Sequence, residues 1–186
     1  SWGRTESFYI FDINQDIYIK AYESKECYDL SKLDTSKIKN MNCLFLYSNF
    51  NSDISNWDTS NVTSMNSMFY KTKKFNQDIG KWDVSNVTSM NSMFYFSRKF
   101  NKNLNKWNTS KLINIDNMFA YSIFNGNISN WNTSNVTSMI SMFFNAENFN
   151  QDISKWDVSN VTNMEWMFLK AENFNSDIGN WDVSNV

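Results

Sequence analysis

The sequence predicts an α/β repeat: a right-handed solenoid in which each coil of about 25 residues contributes one short parallel strand and one short helix. Three observations carry this expectation. Tryptophans fall at Trp57, Trp82, Trp107, Trp131, Trp156 and Trp181, a period of 25 residues with one step of 24. The surrounding residues keep that register, so a unit reads W-[DN]-[TV]-S-[NK]-V-T-x-M-x-x-M-F, then four or five variable residues, then F-N-x-[DN]-I-x-x. Within a unit, helix-like apolar spacing gives way to a brief Asn- and Asp-bounded segment.

In chain order, residues 1–28 lack the unit pattern and are predicted as an N-terminal cap, with alternating apolar residues over 8–22 forming strands that shield the first coil. Residues 29–186 form the array, with units starting near 33, 57, 82, 107, 131, 156 and 181. The unit at Leu33 is worn, carrying Leu in place of Trp. Val62, Met65, Met68 and Phe69 are spaced as a helical stripe about two turns long. Ser60 or Asn61 would cap it, and the pattern returns at Ser85, Ser134 and Ser159. "DIGKW" at 78–82 is too short for a helix and is assigned as the strand. Stacked at about 4.8 Å, such strands would make a ribbon opposite the helices, a leucine-rich-repeat-like arrangement. "WDVSNV" at the end stops a quarter of the way through a unit without a polar closing element, so the natural protein is expected to continue beyond Val186.

The segments "SNVTSMNSMFY" and "FNQDIGKWDVSNV" and their copies resemble a bacterial surface-protein repeat of about 25 residues found in mycoplasma and Listeria lipoproteins, related to BspA-like leucine-rich-repeat proteins. The resemblance covers 29–186. It implies a secreted or surface-anchored bacterial protein with a role in adhesion or host interaction, and it brings no catalytic residues. The unit at Leu33, and the one where Ile113 and Ile115 replace Thr and Met, depart from the pattern.

Composition excludes several classes. With 41% hydrophobic and 17% aromatic side chains in 186 residues, the chain has enough apolar material for a folded core. A net charge of -2 argues against nucleic acid as a partner of the whole molecule. No apolar run approaches the eighteen or so residues of a membrane span, and no signal segment begins at Ser1, so an anchor would lie outside these residues. Histidine is absent, which removes the usual acid/base group and the commonest metal ligand. The Asp and Lys residues sit in repeated columns, whereas catalysis needs one unlike, convergent set. No enzyme activity, catalytic residue, metal or cofactor is expected. With no proline and four glycines, turns fall to Asn, Asp and Ser. Cys27 and Cys43 allow one disulfide or none.

Four features compete for function. The Trp column is either an interior ladder or a row of rings that stack on sugars. The methionines at Met65, Met68, Met90 and Met93 read as core. The acidic columns, Asp53, Asp78, Asp152, Asp177 and Asp58, Asp83, Asp157, Asp182, invite a calcium reading. Yet both turn to Asn together, at Asn103 with Asn108 and Asn127 with Asn132, which favours carboxylate or amide oxygens accepting backbone hydrogen bonds. The fourth is the variable stretch after each "MF". Between 71 and 111 nine Lys or Arg stand against two Asp, either a solvated face or a docking patch for polyanions built from Lys73, Lys74, Arg98, Lys99, Lys102 and Lys106. The functional expectation is a non-catalytic, cell-surface binding or adhesion module whose partner is a host or matrix protein or an acidic glycan; the alternative is a stalk or spacer with no ligand.

Overall fold

A computed structural model describes residues 7–12, 17–22 and 30–186. Where the alternating pattern predicts strands, β1 (Ser7–Asp12) and β2 (Ile17–Tyr22) pair antiparallel, with Ser7 opposite Tyr22 and Asp12 opposite Ile17. A 3-10 turn, Leu30–Lys32, leads into the repeats. Cys27 lies outside the described residues, and Cys43 carries a free, exposed thiol. Among the described residues no helix is long and apolar enough to cross a membrane.

The expected α/β solenoid of leucine-rich-repeat type is not what forms. From residue 33 onward there is neither an α-helix nor an extended strand. Successive repeats do lie on one another in register, joined by isolated parallel bridges that run Asn40, Ser64, Ser89, Asn114, Ser138, Asn163.

The segment predicted as a helix fails to be one because every second amide leaves its own repeat. Met65, Ser67, Phe69 and Lys71 donate to the carbonyls of Ser89, Asn91, Met93 and Tyr95 in the next repeat, at 3.0, 2.8, 2.9 and 2.7 Å. The amides between them close tight turns instead, Met68 onto Met65, Tyr70 onto Ser67 and Thr72 onto Phe69. An α-helix would keep all of these donors within the segment. Ser67 and Lys71 have φ of 56° and 54°, a left-handed state that interrupts a helix every fourth residue. The apolar stripe is real, but it marks the inner side of a ladder of turns: Val62, Met65, Met68 and Phe69 are all buried.

The predicted strand is also a turn. In "DIGKW" the Trp82 amide closes onto the Ile79 carbonyl, and the Gly80 amide donates to Asp78 Oδ1 at 3.0 Å. One residue per repeat does pair in parallel, but it falls at Ser64 and its equivalents, inside the stretch assigned to the helix.

The core is a set of columns in which like side chains meet like. Phe45, Phe69, Phe94, Phe119, Phe143 and Phe168 form one, with ring centroids 5.4–5.8 Å apart. Phe50, Phe75, Phe100, Phe124, Phe149 and Phe174 form a second, and within each repeat the two rings stack at 3.8–4.1 Å. The tryptophans are a third. Trp82, Trp107, Trp131 and Trp156 are each 3% exposed or less, which rules out the sugar-stacking reading of that column. Each indole N–H also donates to a carbonyl in the preceding repeat, as Trp82 does to Ile54 at 3.0 Å.

Candidate functional site

Most polar positions are consumed in holding repeat to repeat. Asn76, Asn101, Asn125, Asn150 and Asn175 form a column in which each backbone N–H donates to the side-chain oxygen one repeat back. The "SNV" asparagines do the same with their amide nitrogens, Asn86 to the Ser60 carbonyl at 2.7 Å and Asn160 to that of Ser134 at 2.7 Å. At Lys111 the column changes residue type, and its ammonium donates to Asn86 Oδ1 at 2.6 Å.

The acidic columns cap turns. Asp58 Oδ1 accepts the Ser60 backbone N–H at 3.0 Å and its hydroxyl at 2.6 Å, and Asp53 accepts the Ser55 N–H at 2.9 Å. Where Asn replaces Asp the bond persists: Ser110 N–H to Asn108, Ser134 N–H to Asn132 and Asn105 N–H to Asn103. The two columns thus share the oxygen-acceptor role that their joint replacement suggested. The hydroxyl and backbone donors of Ser60 hold the Asp58 carboxyl below its ordinary range, and those of Ser159 do the same for Asp157.

The stretch after each "MF" varies from repeat to repeat and carries exposed side chains. Four of the six predicted basic residues lie there, in adjacent repeats. Lys73 and Arg98 occupy equivalent positions, as do Lys74 and Lys99, and all four are exposed. They precede Phe75 and Phe100, whose buried rings lie 5.7 Å apart. Lys102 and Lys106 do not share these columns: they follow Phe100, with Lys102 half-buried and Lys106 exposed at the position that Lys81 fills one repeat earlier. The basic stretch is local, since Glu147 and Glu172 take the Lys73 position in later repeats.

Beside these cations runs a row that sequence reasoning missed: Tyr47, Tyr70, Tyr95 and Tyr121, one from each of four successive repeats. Tyr47 is 62% exposed and the other three are half-buried. The signal was a tyrosine one or two residues after the conserved Phe in each of these units, obscured because it alternates between those two positions. The Lys71 ammonium sits 5.3 Å from the Tyr47 ring centre and 5.4 Å from that of Tyr70, and the Arg98 guanidinium lies 3.9 Å over Phe96. Lys71 and Arg98 thus pack against aromatic rings.

A cleft lined by Arg98, Tyr121, Ser122, Asn145 and Glu147 is only about 60 Å³. That is far below the roughly 300–1,000 Å³ of a small-molecule pocket, so this cleft is too small to enclose one.

A family model described as Mycoplasma protein of unknown function, DUF285, matches residues 16–123 and 121–186. No curated protein and no solved structure matches the chain.

Proposed function

We propose, for a chain that belongs to the Mycoplasma family of unknown function DUF285, a non-catalytic binding or adhesion role at a bacterial cell surface. The observation that carries this reading is that the stretch after each "MF" differs from copy to copy and holds exposed cations in adjacent repeats, while the asparagine, serine and aromatic columns are committed to ladders that fix neighbouring repeats. A scaffold of this kind separates the residues that hold the fold from those that differ between copies. The partner is an acidic glycan or an anionic protein surface, met by Lys73, Lys74, Arg98 and Lys99, with Lys102 and Lys106 beyond them. The unbroken Phe columns from Phe45 to Phe168 favour a second reading, a stalk or spacer that binds nothing.

Heparin chromatography of the 186-residue chain separates the two. Retention at low salt and release as ionic strength rises toward 0.15 M, where the Debye length falls to about 8 Å, is the expected result. The K74E/K99E variant should pass through with little change in melting temperature, because exposed charges such as these two contribute about 0–1 kcal/mol each. Passage of the wild-type chain at low salt would leave the stalk reading in place.

A further inference from the structure

The tyrosine row has a packing that distinguishes between polyanions. Tyr70 and Tyr95 stack face to face at 4.6 Å and 5°. Tyr47 meets Tyr70 edge-on at 5.5 Å, and Tyr121 meets Tyr95 edge-on at 5.4 Å. Tyr70 and Tyr95 therefore each cover one ring face that a nucleobase or a neutral sugar would need for stacking. What the row offers outward is hydroxyls. The four backbones are hydrogen-bonded, but among the described residues none of the four hydroxyls is, and the side chains meet their neighbours through their rings. Burial raises the Tyr95 phenol above its ordinary value, and Tyr70, Tyr121 and Tyr47 add to the effect, so the Tyr95 hydroxyl stays a protonated donor.

Spacing supplies the second argument. Successive rings lie 4.6–5.5 Å apart, close to the rise of one sugar residue in an extended polysaccharide. Lys71 stands within the row, and exposed Lys73, Lys74, Arg98 and Lys99 follow Tyr70 and Tyr95 within three or four residues along the chain. Resting on the reading of this edge as a contact surface, we infer that Tyr47, Tyr70, Tyr95, Tyr121 and Lys71 form a recognition track for a linear sulfated or uronate-bearing polysaccharide. The polymer lies along the stack, one sugar residue per repeat, and its anionic groups accept from the phenol hydroxyls.

The test compares binding of a heparin octasaccharide, neutral dextran and oligothymidylate to the wild-type chain, to Y70F/Y95F/Y121F, to K71Q and to K74E/K99E. Phenylalanine keeps every ring contact, so the triple variant should melt like wild type; Y95F alone serves as a milder version. The triple variant should bind the octasaccharide at least about tenfold more weakly, the loss expected for one hydrogen bond to a charged group. Dextran should not bind. Unchanged octasaccharide binding by the triple variant, with binding lost in K74E/K99E, would overturn the track and leave the basic edge standing. Oligothymidylate bound as tightly as the octasaccharide would also overturn it. Absence of octasaccharide binding by the wild-type chain would remove the track and the acidic-glycan partner together.

Discussion

The side-chain oxygen of Asn91 is buried without a hydrogen-bond partner, and the cause is one residue in the next repeat. At the equivalent position of other repeats a serine hydroxyl donates backward: Ser64 to Asn42, Ser89 to Asn66 and Ser138 to Asp116, at 2.7, 2.6 and 2.6 Å. In each case the same oxygen also takes the backbone N–H two residues further on. Asn114 stands where that serine is due, and its own side chain takes the Asp116 N–H instead. Asn114→Ser should restore both donors to Asn91 and stabilise the chain by about 1 kcal/mol, the net value of a typical hydrogen bond. Urea denaturation of the variant checks this, and a midpoint at or below wild type would refute it. A second expectation concerns acid. The Asp34, Asp58, Asp152, Asp157 and Asp182 carboxyls are held below the ordinary range mainly by serine donors two residues on. Their folded-state pKa values lie below the unfolded value of about 3.9. The stabilisation they supply is complete above that pH and is lost as pH falls through the folded values. Melting temperature should be flat above about pH 5 and decline in acid. D58N/D157N should flatten that decline, since Asn108 and Asn132 already do the same job without titrating. This interchange was legible in the sequence. The positive φ of Ser67, Lys71, Ser92 and Phe96 was not, because glycine, the usual marker of that state, occupies none of these positions.

At the scale of the repeat unit, the reading of the sequence went wrong where two structures share one pattern. A helix and a ladder of tight turns both place apolar residues three and four apart, so Val62, Met65, Met68 and Phe69 fit either. What separates them is the destination of the amides at Ser67 and Lys71, and that destination lies in another repeat. Neighbouring repeats also set local side-chain volume. A Cβ at Gly126 would collide with the Lys102 carbonyl oxygen, so that glycine answers to close approach and not to backbone freedom. The double phenylalanine column is where most apolar contact concentrates. Phe94 stacks on Phe100 at 4.0 Å within its repeat and on Phe69 and Phe119 at 5.4 and 5.6 Å across repeats. Phe94→Ala should destabilise by about 3–5 kcal/mol, the range for deleting a buried aromatic ring. A loss under half of one kcal/mol in denaturant melts would mean the column is not the core.

Over the whole molecule, the period, the register and the membership of the Trp, Phe, Met and acidic columns could be read from the sequence, because identical spacing places equivalent residues in equivalent positions. The tyrosine row escaped for the same reason: Tyr70 and Tyr95 follow the conserved Phe directly, whereas Tyr47 and Tyr121 lie one residue further on, and only the edge-on packing between them makes one line. The ladders have a further consequence. Successive repeats are joined by the same kind of backbone bridge from Asn40 through Asn163. Junctions are thus alike in their backbone chemistry and differ at single side chains such as Asn114. Adding or removing one whole unit would leave that ladder of bridges intact and change only such side-chain pairings. Reach then becomes a heritable variable, altered in single-unit steps, while the residues on the variable edge diverge independently of length.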